Sequence, residues 1–192
     1  MELTTAQKAT LTTYISTEPL LAQYLIVGSE NAHQVYLFLN SPSTFQVWRT
    51  TTPVSDIHDN ISWANFTPTN PISGAGTDAA NWMAQCGLKQ MNLQNLLSGA
   101  SFNGQINTKK PNIRAGFQDC LTNLPSGAAG VARSGGWPAV QLVIQRAATF
   151  AEKQFATGTG TTALPGDLTF EGDVPENIVG SLIWTDLGIR RF

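Results

Sequence analysis

Apolar residues recur at intervals of three and four over most of this chain, and the runs break at glycine, proline and asparagine. Thr4-x-x-Gln7 has the spacing of a capping box, and Leu11, Tyr14 and Ile15 follow at helical intervals. A second short helix is predicted from Thr17, with Pro19 in its first turn and Leu20, Leu21, Tyr24 and Leu25 before Gly28 stops it. Ser29 is the expected cap of a third, which carries Val35, Tyr36 and Leu39 and ends at Asn40-Ser41-Pro42-Ser43. The stretch 44–52, TFQVWRTTT, alternates and is rich in β-branched residues, so it reads as a short strand or an extended arm.

Pro53 opens the next helical run, with Ile57 and Ile61, and residues 62–77 form a long irregular connection. From Thr77 a helix is predicted through Trp82, Met83, Cys86, Leu93, Leu96 and Leu97, kinked or divided at Gly87. A polar loop covers 98–110. Pro111 starts a helix bearing Ile113, Phe117, Cys120, Leu121 and Leu124, closed by Pro125, and the Gly-, Ala- and Ser-rich stretch 126–136 reads as mobile. The strongest stripe is 137–156, where Val140, Val143, Ile144, Ala147, Ala148, Ala151 and Phe155 predict one long amphipathic helix. A short strand is expected at 168–170, and Asp173-x-x-Glu176 is the expected cap of a last helix with Ile178, Val179, Leu182 and Ile183.

These elements predict a mainly α fold: a compact multi-helix domain over 1–192 with one or two short extended or β segments and Gly-rich loops. Residues 1–61 would hold the N-terminal helices and the arm, 62–136 looser helices and loops, and 137–192 the long helix, a turn, a short strand and the C-terminal helix.

Composition changes the picture in one respect. Hydrophobic residues make up 42% of the chain, a globular value, but charged residues only 12%, about half the usual share. Asn, Gln, Ser and Thr fill the gap, and such a surface is one that neighbours can cover without stranding many ions. The net charge is −2 and the basic pairs Lys109-Lys110 and Arg190-Arg191 stand alone, so direct nucleic-acid binding, which needs many phosphate contacts, is not expected. MELTTAQKAT has neither a basic start nor an apolar run, and no stretch approaches the length that spans a bilayer. The expectation is a protein made and soluble in a reducing cytoplasm, with no membrane partner, whose Cys86 and Cys120 are small core residues.

The chemical motifs point away from catalysis. Gly158-Thr159-Gly160 follows a predicted helix and no lysine stands in Walker spacing, so the loop reads as helix stop and turn, not as a phosphate cradle. His33 and His58 lack partners at workable offsets, and the Asp167/Glu171 and Asp173/Glu176 pairs read as surface and cap. No catalytic residue, cofactor or metal site is therefore expected. Trp48-Arg49 lies on the extended segment, where Trp and Arg are residue types enriched at protein interfaces, and Phe45, Val47, Trp48 and Arg49 are the candidate interface residues.

LTTAQKATLTTYI at 3–15, VWRT at 47–50 and RAATFAEKQFATGTGTTALPGDLTFEG at 146–172 resemble a family of small proteins encoded by tailed bacteriophages and prophages. The stretches span most of the chain, and the region from 62 to 136 is only loosely similar. The resemblance implies a product of the morphogenesis cluster and carries over no catalytic residue. The expected function is a non-enzymatic structural or assembly protein of the virion, at the head–tail connection or along the tail. It would be made in the host cytoplasm, be oligomeric when assembled, and contact other virion proteins through the arm at 47–50 and its loops. The alternative is a small phage protein that binds and modulates a host protein.

Overall fold

A computed structural model describes residues 3–26, 31–66, 76–125 and 132–188, and the side chains of 76–83, 125 and 132 are not among those described. The expected stop at Gly28, the Ser29 cap, much of the 62–77 connection, 126–131 and Arg190-Arg191 lie outside the described residues, as do the side chains of Trp82 and Met83.

In chain order the elements are α1 (Thr5–Thr17), a 3-10 turn (Ala22–Tyr24), α2 (Ala32–Leu39), β1 (Pro42–Trp48), β2 (Thr52–Pro53), α3 (Val54–Asp59) and a second 3-10 turn (Trp63–Phe66). Then come α4 (Gly76–Gly99), β3 (Ser101–Phe102), β4 (Gln105–Ile106), α5 (Pro111–Leu121), β5 (Leu124–Pro125), β6 (Ala132–Arg133) and α6 (Trp137–Val143). The chain finishes with β7 (Gln145–Thr149), α7 (Phe150–Lys153), β8 (Ala156–Thr157), β9 (Asp167–Leu168), α8 (Glu176–Ser181) and a π-helical turn (Leu182–Asp186). β1 pairs with β7, β4 lies between β2 and β3, β5 pairs with β6, and β8 pairs with β9. Among the described residues the structure is 53% helical and 16% strand, which corrects the mainly α expectation to a mixed α/β fold. The chain divides into two compact units, Met1–Val47 with Ala147–Phe192, and Trp48–Arg146, where the sequence predicts a single domain.

In the first unit α1 begins at the predicted box: Gln7 N–H donates to Thr4 Oγ1 (3.2 Å) and Thr4 N–H to Gln7 Oε1 (2.9 Å). Leu11 and Ile15 of α1 are fully buried with Val35 and Leu39 of α2, Ala151 of α7, and Val179 and Ile183 near the end of the chain. The helix expected from Thr17 is only the 3-10 turn, since the chain is already extended at Glu18, the residue before Pro19. α2 is capped by Asn31, whose side chain accepts from Gln34 N–H (3.1 Å).

The Asp173-x-x-Glu176 cap does not form; α8 starts behind Pro175, without a side-chain cap. The reason is upstream. Asn40 holds Val174 as a strand partner would, its Nδ2 donating to Val174 O (3.0 Å) and its Oδ1 accepting from Val174 N–H (2.8 Å). Val174 is fully buried, so Asn40→Ala leaves a backbone donor and acceptor unpaired and is expected to lower stability by about 2–3 kcal/mol. Urea unfolding of the full chain measures this, and an unchanged midpoint would refute it.

In the second unit Ile57, Leu93, Ile106, Phe117, Leu121, Val140 and Ile144 form a core without water contact. α4 runs unbroken through Gly87, whose missing side chain faces open space. α5 approaches it at Gly116, where a Cβ would come within 3.0 Å of Leu96. Lys89 of α4 donates to Asp119 O and to Thr122 O (3.2 Å), placing a cation on the carbonyls at the α5 C-terminus. Thr108 donates to Arg49 O (2.8 Å), which leaves Thr52 to donate between the two buried hydroxyls, 3.0 Å apart.

The helix predicted over 137–156 is three elements, α6, β7 and α7. Its buried residues Val140, Ile144 and Ala148 are four apart, a spacing that keeps one face on a helix and on a strand alike. What settles the matter is pairing and capping. Ser43 Oγ donates to Ala148 O (2.7 Å) where β7 runs beside β1, and a second capping box restarts the helix, with Glu152 N–H on Thr149 Oγ1 (3.1 Å) and Thr149 N–H on Glu152 Oε2 (2.9 Å).

Candidate interaction surface

Of the two readings of this segment, short strand or extended arm, the structure has the strand, β1, and its side chains make contacts within the chain. In the first unit, Phe45 is half-buried and Val47 fully buried, against Ala148 and Leu168. The loop from 158 to 166 straps this strand: Gln46 N–H donates to Gly160 O (2.7 Å), and Gly166 N–H donates to Gln46 O (2.8 Å). The Phe45 ring fills the space where a Cβ on Gly160 or Gly166 would stand. In the second unit, the Arg114 guanidinium lies 4.5 Å from the Trp48 ring centroid, a cation–π contact. Arg49 donates from its backbone to Ile144 O (3.0 Å) and from Nη1 to Val143 O (3.3 Å). Three of the four candidate residues lie on β1 and Arg49 directly follows it, and all four have partners within the chain.

The Gly-rich loop is occupied in the same way. Gly158 (φ 92°) and Gly160 (φ 66°) take the left-handed conformation, but they follow β8, so they turn a hairpin rather than end a helix. Thr161, Leu164 and Gly166 N–H groups all donate within the fold. His33 Nδ1 lies 3.0 Å from Glu176 Oε1, both side chains about half exposed. His58 Nδ1 lies 3.5 Å from Asp59 Oδ1, with the His58 ring 4.9 Å from that of Trp63.

Cys86 and Cys120 are buried and not joined in a disulfide. Burial, and after it the Asp119 carboxylate, pushes the Cys120 thiol upward against the opposing pull of Lys89, which holds the sulfur in its unreactive form at neutral pH. Burial and the neighbouring Glu18 likewise raise the Tyr14 hydroxyl. Among the described residues no three His, Cys, Asp or Glu side chains group to hold a metal, and no helix is long and apolar enough to cross a membrane.

The second unit carries two outward features that the sequence reading passes over. One is the β3–β4 hairpin inside the stretch predicted as a loop. Asn103 (φ 51°) and Gly104 (φ 72°) are both left-handed, the type I′ turn that Asn-Gly between short strands signals. The hairpin holds Phe102 with 80% of its surface in water, beside a groove of about 430 Å³. The other is the exposed face of α4, where Leu88 and Met91 stand three residues apart among exposed Gln85, Asn92, Gln94 and Asn95. A smaller cleft, about 290 Å³, lies between Asn123, Arg133 and Trp137.

Compared with models of protein families, with curated proteins and with solved structures, the chain matches none.

Proposed function

We propose that the chain is a non-enzymatic structural or assembly protein of a tailed-phage virion, placed at the head–tail connection or along the tail and working through protein–protein contacts. The sequence resemblance supports the setting, and the observation that carries the mode of action is the outward face of α4. From Ala84 to Gly99 its one charged residue is Lys89, and that side chain turns onto the α5 carbonyls. Leu88 and Met91 are left at 54% and 50% exposure, on a stretch where Gln85, Asn92, Gln94 and Asn95 are exposed as well. A neighbour covering Leu88 and Met91 removes apolar surface from water, and the one ion this stretch of helix brings, Lys89, already has Asp119 of α5 beside it at 3.8 Å.

The contact surface in this reading is a helix face, and not the segment at 45–49. Mass spectrometry of purified particles is the test, with the chain expected in many copies per particle. The variant Leu88→Lys/Met91→Lys is expected to fold normally, since both side chains point to water, and to be lost from particles. A chain absent from particles, or a double variant incorporated as well as the parent, would overturn the proposal.

A further inference from the structure

We infer that the groove beside the β3–β4 hairpin is a binding site for a neutral saccharide, a function independent of the proposed virion role. The hairpin is tied into the second unit. β4 is paired on both sides, Thr52 with Ile106 and Ser101 with Ile106, Ile106 is fully buried, and Val54 N–H donates to Gly104 O (2.9 Å), pinning the turn to the start of α3. Phe102 is therefore held out in water by a fixed support, the arrangement expected of a preorganised contact.

The groove's lining selects the ligand. Thr51, Asn103, Gln105 and Asn107 stand around Phe102, with Lys110 as the one charged side chain and no carboxylate. Without an acid, the groove offers no counter-charge to a metal ion or an organic cation, and the Lys110 ammonium repels both. With one ammonium, it lacks the set of charges that a polyphosphate or nucleic-acid backbone requires. Hydroxyl and amide side chains each offer a donor and an acceptor, which suits a ligand made of hydroxyls that do the same. Asn107 Oδ1 already accepts from Lys109 N–H (3.1 Å), which leaves its NH₂ as the group offered.

An exposed aromatic face, negative at its centre, attracts the weakly positive C–H face of a pyranose ring. A volume of about 430 Å³ is that of a small-ligand cleft and accommodates a mono- or disaccharide. The geometry thus places one sugar ring over Phe102, with its hydroxyls toward Thr51, Asn103 and Gln105.

The test is a titration of the full isotope-labelled chain with glucose, N-acetylglucosamine, maltotriose and chitotriose to tens of millimolar, followed by amide chemical shifts. Saturable shifts at Asn103, Gly104 and Gln105 are expected with at least one sugar. Phe102→Ala should weaken that binding about tenfold, Phe102→Trp should preserve or strengthen it, and Gln105→Ala should weaken it several-fold with the rest of the spectrum unchanged. No saturable shift with any of the sugars, or shifts that Phe102→Ala leaves intact, would overturn the inference. So would a Phe102→Ala variant that changes sedimentation from oligomer to monomer while no sugar competes, since the groove would then hold a second copy of the chain.

Discussion

Gly160→Ala lowers the stability of the chain by about 3–4 kcal/mol, a large part of what a domain of this size has to lose. Two independent penalties add. At φ +66° an L side chain is strained, worth about 1–2 kcal/mol. The new Cβ also lands 2.2 Å from the Phe45 ring, in a place where the ring is flanked on its other contact by Gly166 and the strand is tied to the loop through Gln46. At that distance the ring, β1 or the loop must move, at a further cost of about 1–3 kcal/mol.

Gly158→Ala is the control. Its φ of +92° is as unfavourable, but its nearest neighbour beyond the chain is Gly166 Cα at 3.4 Å, an ordinary contact. Only the backbone penalty remains there, about 1–2 kcal/mol. Urea midpoints followed by circular dichroism should rank the parent above Gly158→Ala and both well above Gly160→Ala. Adding Phe45→Leu to Gly160→Ala should recover part of the loss, because the two sites share one space. Equal losses at 158 and 160 would show that the Phe45 contact is not what requires glycine.

The second large effect is at Glu152, whose side chain is 1% exposed. One carboxylate oxygen accepts from Thr149 N–H (2.9 Å) and the other from Gly172 N–H (2.9 Å), so the residue joins the start of α7 to the Phe170-Glu171-Gly172 turn. Glu152→Ala removes both acceptors and opens a void, with an expected loss of about 3 kcal/mol. Thr149→Ala removes only the reciprocal half of the cap and should cost about 1 kcal/mol. Hydrogen exchange at the Gly172 amide separates the two variants: it should accelerate in Glu152→Ala and stay close to the parent in Thr149→Ala. Protection at Gly172 that survives Glu152→Ala would refute the link.

These contacts also mark where the sequence was readable. Thr4 with Gln7 announces α1 correctly because capping is local, and Pro111 with Phe117, Cys120 and Leu121 announces α5 for the same reason. The same logic was available at Thr149-x-x-Glu152, yet the two residues read as the polar face of a long helix, because a four-residue spacing suits helix and strand equally. Asn103-Gly104 was likewise a hairpin signal lying in what reads as a loop. Asn40 and Val174, 134 residues apart, show what no local pattern contains, since the side chain that holds the Val174 backbone lies far away in the sequence. The candidate surface was legible only as a composition, sparse in charge and rich in amides. Which helix gathers that composition on one face depends on where Lys89 turns, and that is a property of packing.

The first unit draws on the segments before Trp48 and after Arg146, and this fixes an order of events during synthesis. Leu11 and Ile15 meet Val179 and Ile183 in one core, so α1 leaves the ribosome with its apolar face uncovered and waits until the residues of α8 and the π-helical turn have been made. The residues of the second unit emerge in one uninterrupted run and have no such wait.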